Sequence, residues 1–385
     1  MRIGIAGAGV AGLAAAALLG REGHDITLID QFGAPRAVGS GLVIQPVGLA
    51  VLDLIAAGPS PALGLGAPLT RMVGHNLSGR KVLDVSYGMT PGLAIHRASL
   101  FHVLWQAAMA WQPQMIPAAR ITGRSGQSIQ SSAGQIGPFD LIVDALGAGS
   151  PLSPMRQRTL PYGAIWATVD WPADTALPRD QLRQRYRRAD RMVGVLPLGR
   201  MPGGARDKAA LFWSLPRDAY GQWLDQGLKS WREEAIDLWP AAAPFVAQIR
   251  QADQMTMARY SHGTLGRPAG DGIVHLGDAA HRASPQLGQG ANMALLDALA
   301  LSRALQYADG QDPGALYAAA RRWHVRTYQA LSAAFTPQYQ SDSRSLPLLR
   351  DLMLAPMSQI WPVTRILTRL VRGDLVPPLA SLDRR

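Results

Sequence analysis

The sequence predicts an α/β (α+β) fold: a domain built on a parallel sheet, a second domain with a mostly antiparallel sheet, and a set of C-terminal helices. Three observations carry this expectation. A short apolar strand at residues 2–6 runs directly into Gly7, Gly9 and Gly12, in GxGxxG spacing. A second strand, acid and glycine arrangement lies far downstream, at residues 270–305. Between them, residues 156–264 hold strand-like runs separated by Pro- and Gly-rich turns.

The first element is the most specific. Leu13 to Leu19 reads as the helix that the glycines open. Gly7 suits a tight turn, Gly9 lets backbone approach a pyrophosphate, and Gly12 lets helix and strand pack closely. Ala11 belongs to the same first turn, whose unpaired N–H groups and positive dipole end favour phosphate. A second strand, Asp25 to Ile29, ends at Asp30, 18 residues after Gly12, where a carboxylate would accept hydrogen bonds from an adenosine ribose. Strand, glycines, helix, strand and acid in this order make a Rossmann-like nucleotide site. They do not by themselves decide between FAD and NAD. The same first twenty residues could pass for a secretory signal, but the glycine spacing and Asp30 fit the nucleotide fold better.

The downstream stretch GDGIVHLGDAAHRASPQLGQGANMALLDALALSRAL contains a strand (Ile273 to Leu276), then Gly277 and Asp278, a loop with Pro285, and Gly288-x-Gly290 opening another helix. With GAGVAGL, HRASL around Arg97, and DLIVDALG, this chain resembles the flavoprotein aromatic hydroxylases, the family of para-hydroxybenzoate hydroxylase. The matched strings span most of the first 305 residues, and GDAAHRASPQLGQGAN is the most specific. The resemblance implies a non-covalently held FAD. Asp278 would hydrogen-bond the ribityl hydroxyls, while Gly288, Gly290, Ala291 and Asn292 would present backbone N–H groups at the flavin pyrimidine edge. Arg97 matches the family arginine near the pyrophosphate, although a surface arginine at a helix start is the plain alternative. Ile121 lies where the family uses backbone to hold adenine. His281 reads as structural rather than as a proton carrier.

One departure stands out. The family places an Asp-Gly pair after the strand that here is Asp140 to Val143, and this chain has Leu146-Gly147. Asp144, two residues earlier, points along a different direction by strand alternation. The departure weakens the expectation of an ordinary NAD(P)H half-reaction more than it weakens the FAD assignment.

The expected organisation is a discontinuous FAD-binding domain (1–70, 95–155 and 265–330), a substrate domain (71–94 and 156–264) and a C-terminal helical segment (331–385). Strands are expected at Gly163 to Trp171, Met192 to Leu198 and Ala209 to Leu215. Six of the ten tryptophans (Trp166, Trp171, Trp213, Trp223, Trp231 and Trp239) fall in the substrate domain, where each is more readily core than pocket lining. Arg183, Arg185, Arg187, Arg188 and Arg191 form a basic cluster, read as a solvated face or as a landing site for NADPH phosphates. Residues 346–372 are apolar and basic and suit a packed helix or one lying on a membrane surface.

Composition excludes several classes. The 385 residues are 48% hydrophobic and 17% charged, which is an ordinary globular balance. With no cysteine there is no disulfide, thiolate metal site, thiol nucleophile or cysteinyl flavin link, and no metal site is expected. The +11 charge attracts anions, but no nucleic-acid motif accompanies it. A cytoplasmic location, free or membrane-associated, is compatible with these features.

The family likeness implies a monooxygenase. NAD(P)H reduces the flavin, O₂ adds to it, and the hydroperoxide passes one oxygen to a small aromatic or otherwise electron-rich substrate, by hydroxylation or epoxidation. His75, His96 and Tyr162 are candidates for deprotonating a phenol, each more readily structural. The rivals are a reductase or dehydrogenase of isoprenoid type and a flavin-binding module without catalysis. The halogenase string WxWxIP is absent.

Overall fold

In the computed structural model, which describes residues 1–33, 39–380 and 382, all of the strand Arg2–Ala6 except Arg2 is buried. It is an inner strand of a six-stranded sheet. The order is Ala269–Gly270, Ile273–His275, Leu141–Asp144, Arg2–Ala6, Asp25–Ile29, Gln114–Ile116, parallel throughout except for the first pair. A strand covered on both faces reads as continuous apolar sequence, which is why RIGIA, DITLI and LIVD lack alternation. The covering helices Val10–Arg21, Arg97–Met109 and Gly290–Gln306 share one core with Ile3, Ile5 and Leu28.

The second sheet has eight strands: His281–Arg282, Thr256–Thr264, Arg158–Asp170, Asp207–Pro216, Arg191–Arg200, Gln181–Arg187, Arg71–Asn76 and Lys81–Ser86. It is antiparallel except where Gln181–Arg187 meets Arg71–Asn76. On one face, Trp171, Trp213, Trp223, Trp231 and Trp239 form a dry core with Phe245. Five of the six tryptophans singled out above therefore pack, and only Trp166 lines a cavity.

A small sheet of Gly41–Ile44, Gly92–His96 and Ala67–Leu69 packs between the two, with Val43, Leu69 and Ala94 against Leu196 and Leu198. The long helix Pro313–Tyr339 starts cleanly, since Pro313 takes the first helical position and the Asp312 carboxylate accepts from the N–H groups of Gly314 and Ala315. Short helices Ser345–Leu349, Ala355–Met357 and Val363–Arg372 then lie across the face of the large sheet. No helix among the described residues is long and apolar enough to cross a membrane.

Candidate active site

A continuous cavity of 1510 Å³ runs from the first glycine turn to the face of the large sheet. That exceeds what a single small ligand fills. Its walls divide into a groove across the edge of the parallel sheet and an apolar chamber beneath the C-terminal helices.

Gly7, at φ +102°, turns the chain out of the strand and donates its N–H to the Ile29 carbonyl. A side chain on Gly7 or Gly12 would collide with backbone: Gly7 with the Ala145 carbonyl, Gly12 with the Gly7 carbonyl. These two glycines are required by packing. Gly9, Gly147 and Gly290 are different, because a Cβ at any of them would meet no protein atom within 4 Å. All three line the groove; Gly147, at φ +71°, also needs glycine for its backbone, whereas at Gly9 and Gly290 the missing side chain leaves room for a ligand rather than for the protein.

Both helix starts aim into this space. Leu13 is the first residue of its helix to reach back, to the Gly9 carbonyl, and Met293 does the same to Gln289. The N–H groups of Val10, Ala11 and Gly12, and of Gly290, Ala291 and Asn292, precede those bonds and have no carbonyl within the helix. The two sets of donors lie at opposite stretches of one groove, a fit for a dinucleotide whose phosphates and flavin ring are both electron-rich.

Asp30 lines the groove, and its carboxylate accepts from the N–H of Ala8 (2.7 Å) and Phe32 (2.9 Å). The acid thus braces the glycine turn while facing the groove. Arg97 also lines it, at the first position of its helix. Asp278, on the turn after Ile273–His275, exposes its carboxylate to the groove, where it accepts no hydrogen bond among the described residues. Gly288, at φ +61°, closes the preceding turn.

Two of the expected residues turn their side chains away from the groove. Asn292 is fully buried with its amide turned away from the groove. Its Oδ1 accepts from the Gln45 N–H (2.7 Å) and its Nδ2 donates to the carbonyls of Val43 (3.1 Å) and Gly288 (2.9 Å). It ties the helix start to the small sheet and leaves only its backbone for a ligand. Ile121 does not line the groove; its side chain packs with Ala6 and Ile29, and Met115 and Pro117 take the corresponding wall.

The Leu146 departure has a structural answer. Asp144, fully buried, accepts from the Leu146 N–H (3.1 Å), the Ser150 hydroxyl (2.7 Å) and His275 Nδ1 (2.7 Å). The loop is held from below, while Leu146 presents an apolar side chain to the groove.

A buried network supports the second motif. Asp297 accepts from the Gly277 N–H (2.8 Å), His281 Nε2 (2.7 Å) and Arg321 Nε (2.7 Å). Burial alone would raise its pKa, but His281 and Arg321 outweigh that and hold it at about 2. Sequence reading missed Asp297 and Arg321. The available signal was an acid, Asp297, in an otherwise apolar stretch of its helix; Arg321 is one of several basic residues in Pro313–Tyr339 and had none.

The chamber is walled by Met72, Leu182, Met192, Leu196 and Phe212 from the sheet, and by Leu354 and Leu367 from the C-terminal segment. Trp166 stacks on Phe212 (4.5 Å) and donates to the Tyr260 hydroxyl (3.1 Å). Burial pushes Tyr260 up to about 12. Its polar groups include Gln184, Gln338, Gln340, Arg350, Ser358 and Asp84, with the Gln340 Oε1 buried and unpartnered among the described residues.

His75, His96 and Tyr162 are not in the cavity wall. Burial lowers His75, with Arg183 and Arg185 beside it. His96 caps the Arg97–Met109 helix by accepting from the Ala98 N–H. Tyr162 donates to Asp342, and burial with that carboxylate raises its pKa. Among the described residues no histidine lines the cavity.

The basic cluster is also outside it. Arg187 pairs with Asp190 and Glu234, Arg188 with Asp190, and Arg191 with Glu234, while Arg185 donates to the Asn76 carbonyl.

Comparison with known proteins agrees with this geometry. Residues 200–330 match a FAD binding domain and residues 5–35 an NAD(P)-binding Rossmann-like domain. The chain is 28% identical to 3-amino-4-hydroxybenzoate 2-monooxygenase of Streptomyces cremeus, covering 90% of this chain and 86% of that protein. It is 29% identical to kynurenine 3-monooxygenase of Xanthomonas campestris pv. campestris strain 8004, over 85% of this chain and 76% of that one. The fold is similar to that of 2-methyl-3-hydroxypyridine-5-carboxylic acid oxygenase, with a TM-score of 0.80 at 21% identity, covering 98% and 99% of the two chains. It is similar as well to Klebsiella pneumoniae HpxO complexed with FAD and uric acid, with a TM-score of 0.79 at 19% identity over 98% of each. The glycine groove, the Gly277-Asp278 turn and these likenesses converge, and the chain resembles the flavoprotein aromatic hydroxylases, the FAD-dependent monooxygenases similar to para-hydroxybenzoate hydroxylase.

Proposed function

We propose that this protein is an FAD-dependent monooxygenase that uses NAD(P)H and O₂ to hydroxylate a small, largely apolar aromatic substrate. The observation that carries the reading is the single cavity in which a groove opened by three ligand-facing glycines meets a dry aromatic-lined chamber. We assign cofactor contacts to Gly7, Gly9, Ala11, Gly12, Asp30, Arg97, Asp278, Gly288, Gly290 and Ala291, and to the backbone alone of Asn292. The segments 1–70, 95–155 and 265–330 would then form the FAD domain, and 71–94 and 156–264 the cover over it.

Bound FAD would supply the electron transfer and the activation of oxygen. The chain's own residues bind, orient and dry the site. The N–H groups of Val10 to Gly12 would take the pyrophosphate, and Asp278 the ribityl hydroxyls. The N–H groups from Gly290 onward favour negative charge at the pyrimidine edge. Met72, Leu182, Met192 and Leu196 exclude water from the chamber. The free Gln340 Oε1 offers an acceptor to a substrate hydroxyl or amine, and Trp166 and Phe212 offer ring faces. Tyr260, with its pKa at about 12, stays protonated at neutral pH and acts as a hydrogen-bond partner, not a base.

The test is a screen of aromatic compounds for stimulation of NADPH and NADH oxidation by the FAD-loaded protein, followed by product analysis under ¹⁸O₂. One labelled oxygen in the product is expected. If no compound that stimulates oxidation acquires label, the oxygenase assignment fails.

A further inference from the structure

The segment that roofs the chamber has a second face. Leu348, Leu352, Met353, Ile360, Trp361 and Ile366 are each between 48% and 74% exposed. They follow one another along the short helices Ser345–Leu349 and Ala355–Met357, the π-helical turn Arg350–Leu354 between them, and the start of Val363–Arg372. A water-soluble surface rarely gathers so many large apolar groups in so short a stretch. The inward side of the same segment is fully used. Pro347, Arg350 and Ala355 are buried, and Leu354, Ala355, Val363 and Leu367 line the cavity. Packing therefore does not explain the outward set.

The helix Val363–Arg372 does not itself lie flat on a surface. Leu370 and Val371 are buried, and the Leu370 carbonyl accepts from the Tyr328 hydroxyl, so this helix is docked on the body. The exposed apolar groups lie before it and on its outer side. Charge frames them. Arg344 and Arg365 are exposed and make no ion pair among the described residues. Arg80 is exposed as well, its guanidinium donating to the Asp351 carbonyl. The neighbouring acids are already engaged, Asp351 by Arg350 and Asn76, and Asp374 by Arg369 and Arg372. What remains is an apolar ridge with a tryptophan at its crest and unpaired guanidinium groups around it.

We infer that residues 344–366 form a docking surface for an anionic lipid bilayer. Apolar side chains with Trp at the water boundary and Arg toward acidic headgroups is the composition that an interfacial site requires. A second copy of this chain fits less well, because it would bring two +11 molecules together at a basic ridge. Docked this way, the outer wall of the cavity faces the lipid phase, since Met357 both lines the cavity and is 49% exposed.

The experiment uses the full-length, FAD-loaded protein and extruded vesicles of phosphatidylcholine with or without an equal share of phosphatidylglycerol. The protein should float with the phosphatidylglycerol vesicles at low salt. Brominated acyl chains should quench a fluorescence component that is lost in Trp361→Phe. The double variant Leu352→Glu/Trp361→Glu should lower the floated fraction at least tenfold while keeping its FAD and its melting temperature. None of those readouts needs turnover, so they stand or fall separately from the oxygenase reading. Wild-type protein left in solution with anionic vesicles overturns the assignment. So does light scattering that shows a dimer which the double variant converts to a monomer, because the ridge is then covered by a second copy. If the double variant unfolds, Trp361→Phe with the quenching measurement decides.

Discussion

The three open glycines give the sharpest residue-scale consequence. A Cβ at Gly9 would meet no protein atom within 4 Å, so Gly9→Val should fold with a near-native melting temperature. It should nevertheless purify colourless, because the valine occupies the pyrophosphate position. A folded variant holding stoichiometric FAD would overturn the groove assignment. Asp278 is the complementary case, a carboxylate at the groove that accepts no hydrogen bond among the described residues and feels the Arg282 charge nearby. Asp278→Ala should weaken FAD binding by about 1.5–3 kcal/mol, roughly a 10- to 150-fold rise in dissociation constant, with unfolding unaffected. Fluorescence titration of the apoprotein measures it, and an unchanged constant would place the ribityl chain elsewhere.

Among the elements, the helix Pro313–Tyr339 couples the cofactor turn to the C-terminal segment. Arg321 reaches Asp297 on one side, and His324 Nε2 meets the Gly373 carbonyl (2.9 Å) on the other. Burial, reinforced by the Arg321 charge, lowers the His324 pKa to about 3. The sign follows from proton uptake. Unfolding releases a histidine that binds a proton below its ordinary pKa of about 6.5, whereas the folded one does not until about 3. Its contribution is complete above about pH 6.5 and drains away as the pH falls toward 3. His324→Gln keeps an N–H donor for Gly373 and cannot titrate. Its melting temperature should fall less steeply than that of wild type between about pH 6.5 and 4. Parallel curves would show that His324 is not the acid-sensitive group.

At the scale of the whole molecule, the +11 charge acts on NADPH as a field. The arginine cluster, paired with Asp190 and Glu234 and outside the cavity wall, is a poor candidate for a specific phosphate site. Stopped-flow flavin reduction should therefore require more NADPH as salt rises, since exposed charges are screened over about 8–10 Å at 0.10–0.15 M. Charge reversal at Arg187 and Arg188 should shift that curve only slightly. A large, salt-sensitive shift would restore the cluster as a landing site.

The strands Arg2–Ala6, Asp25–Ile29 and Ile273–His275, the two glycine turns and the acids Asp30 and Asp278 were legible in the sequence. All of these are local: a turn needs its glycine, a helix start its unpaired N–H groups, and a buried strand its apolar run, within a dozen residues of one another. Tertiary structure decided which glycines face a ligand. Gly9 and Gly12 look alike in sequence, but one opens on the groove and the other presses on the Gly7 carbonyl. It also set the fate of the tryptophans, because the side of a sheet that meets helix Tyr220–Leu238 is fixed by packing and not by composition. Asn292, Asp144 and Asp297 were legible as polar residues in apolar surroundings, but their partners lie 247, 131 and 24 residues away. Hydrogen bonds across such separations form only once the strands and helices that carry the partners have packed together, and so no local pattern announces them.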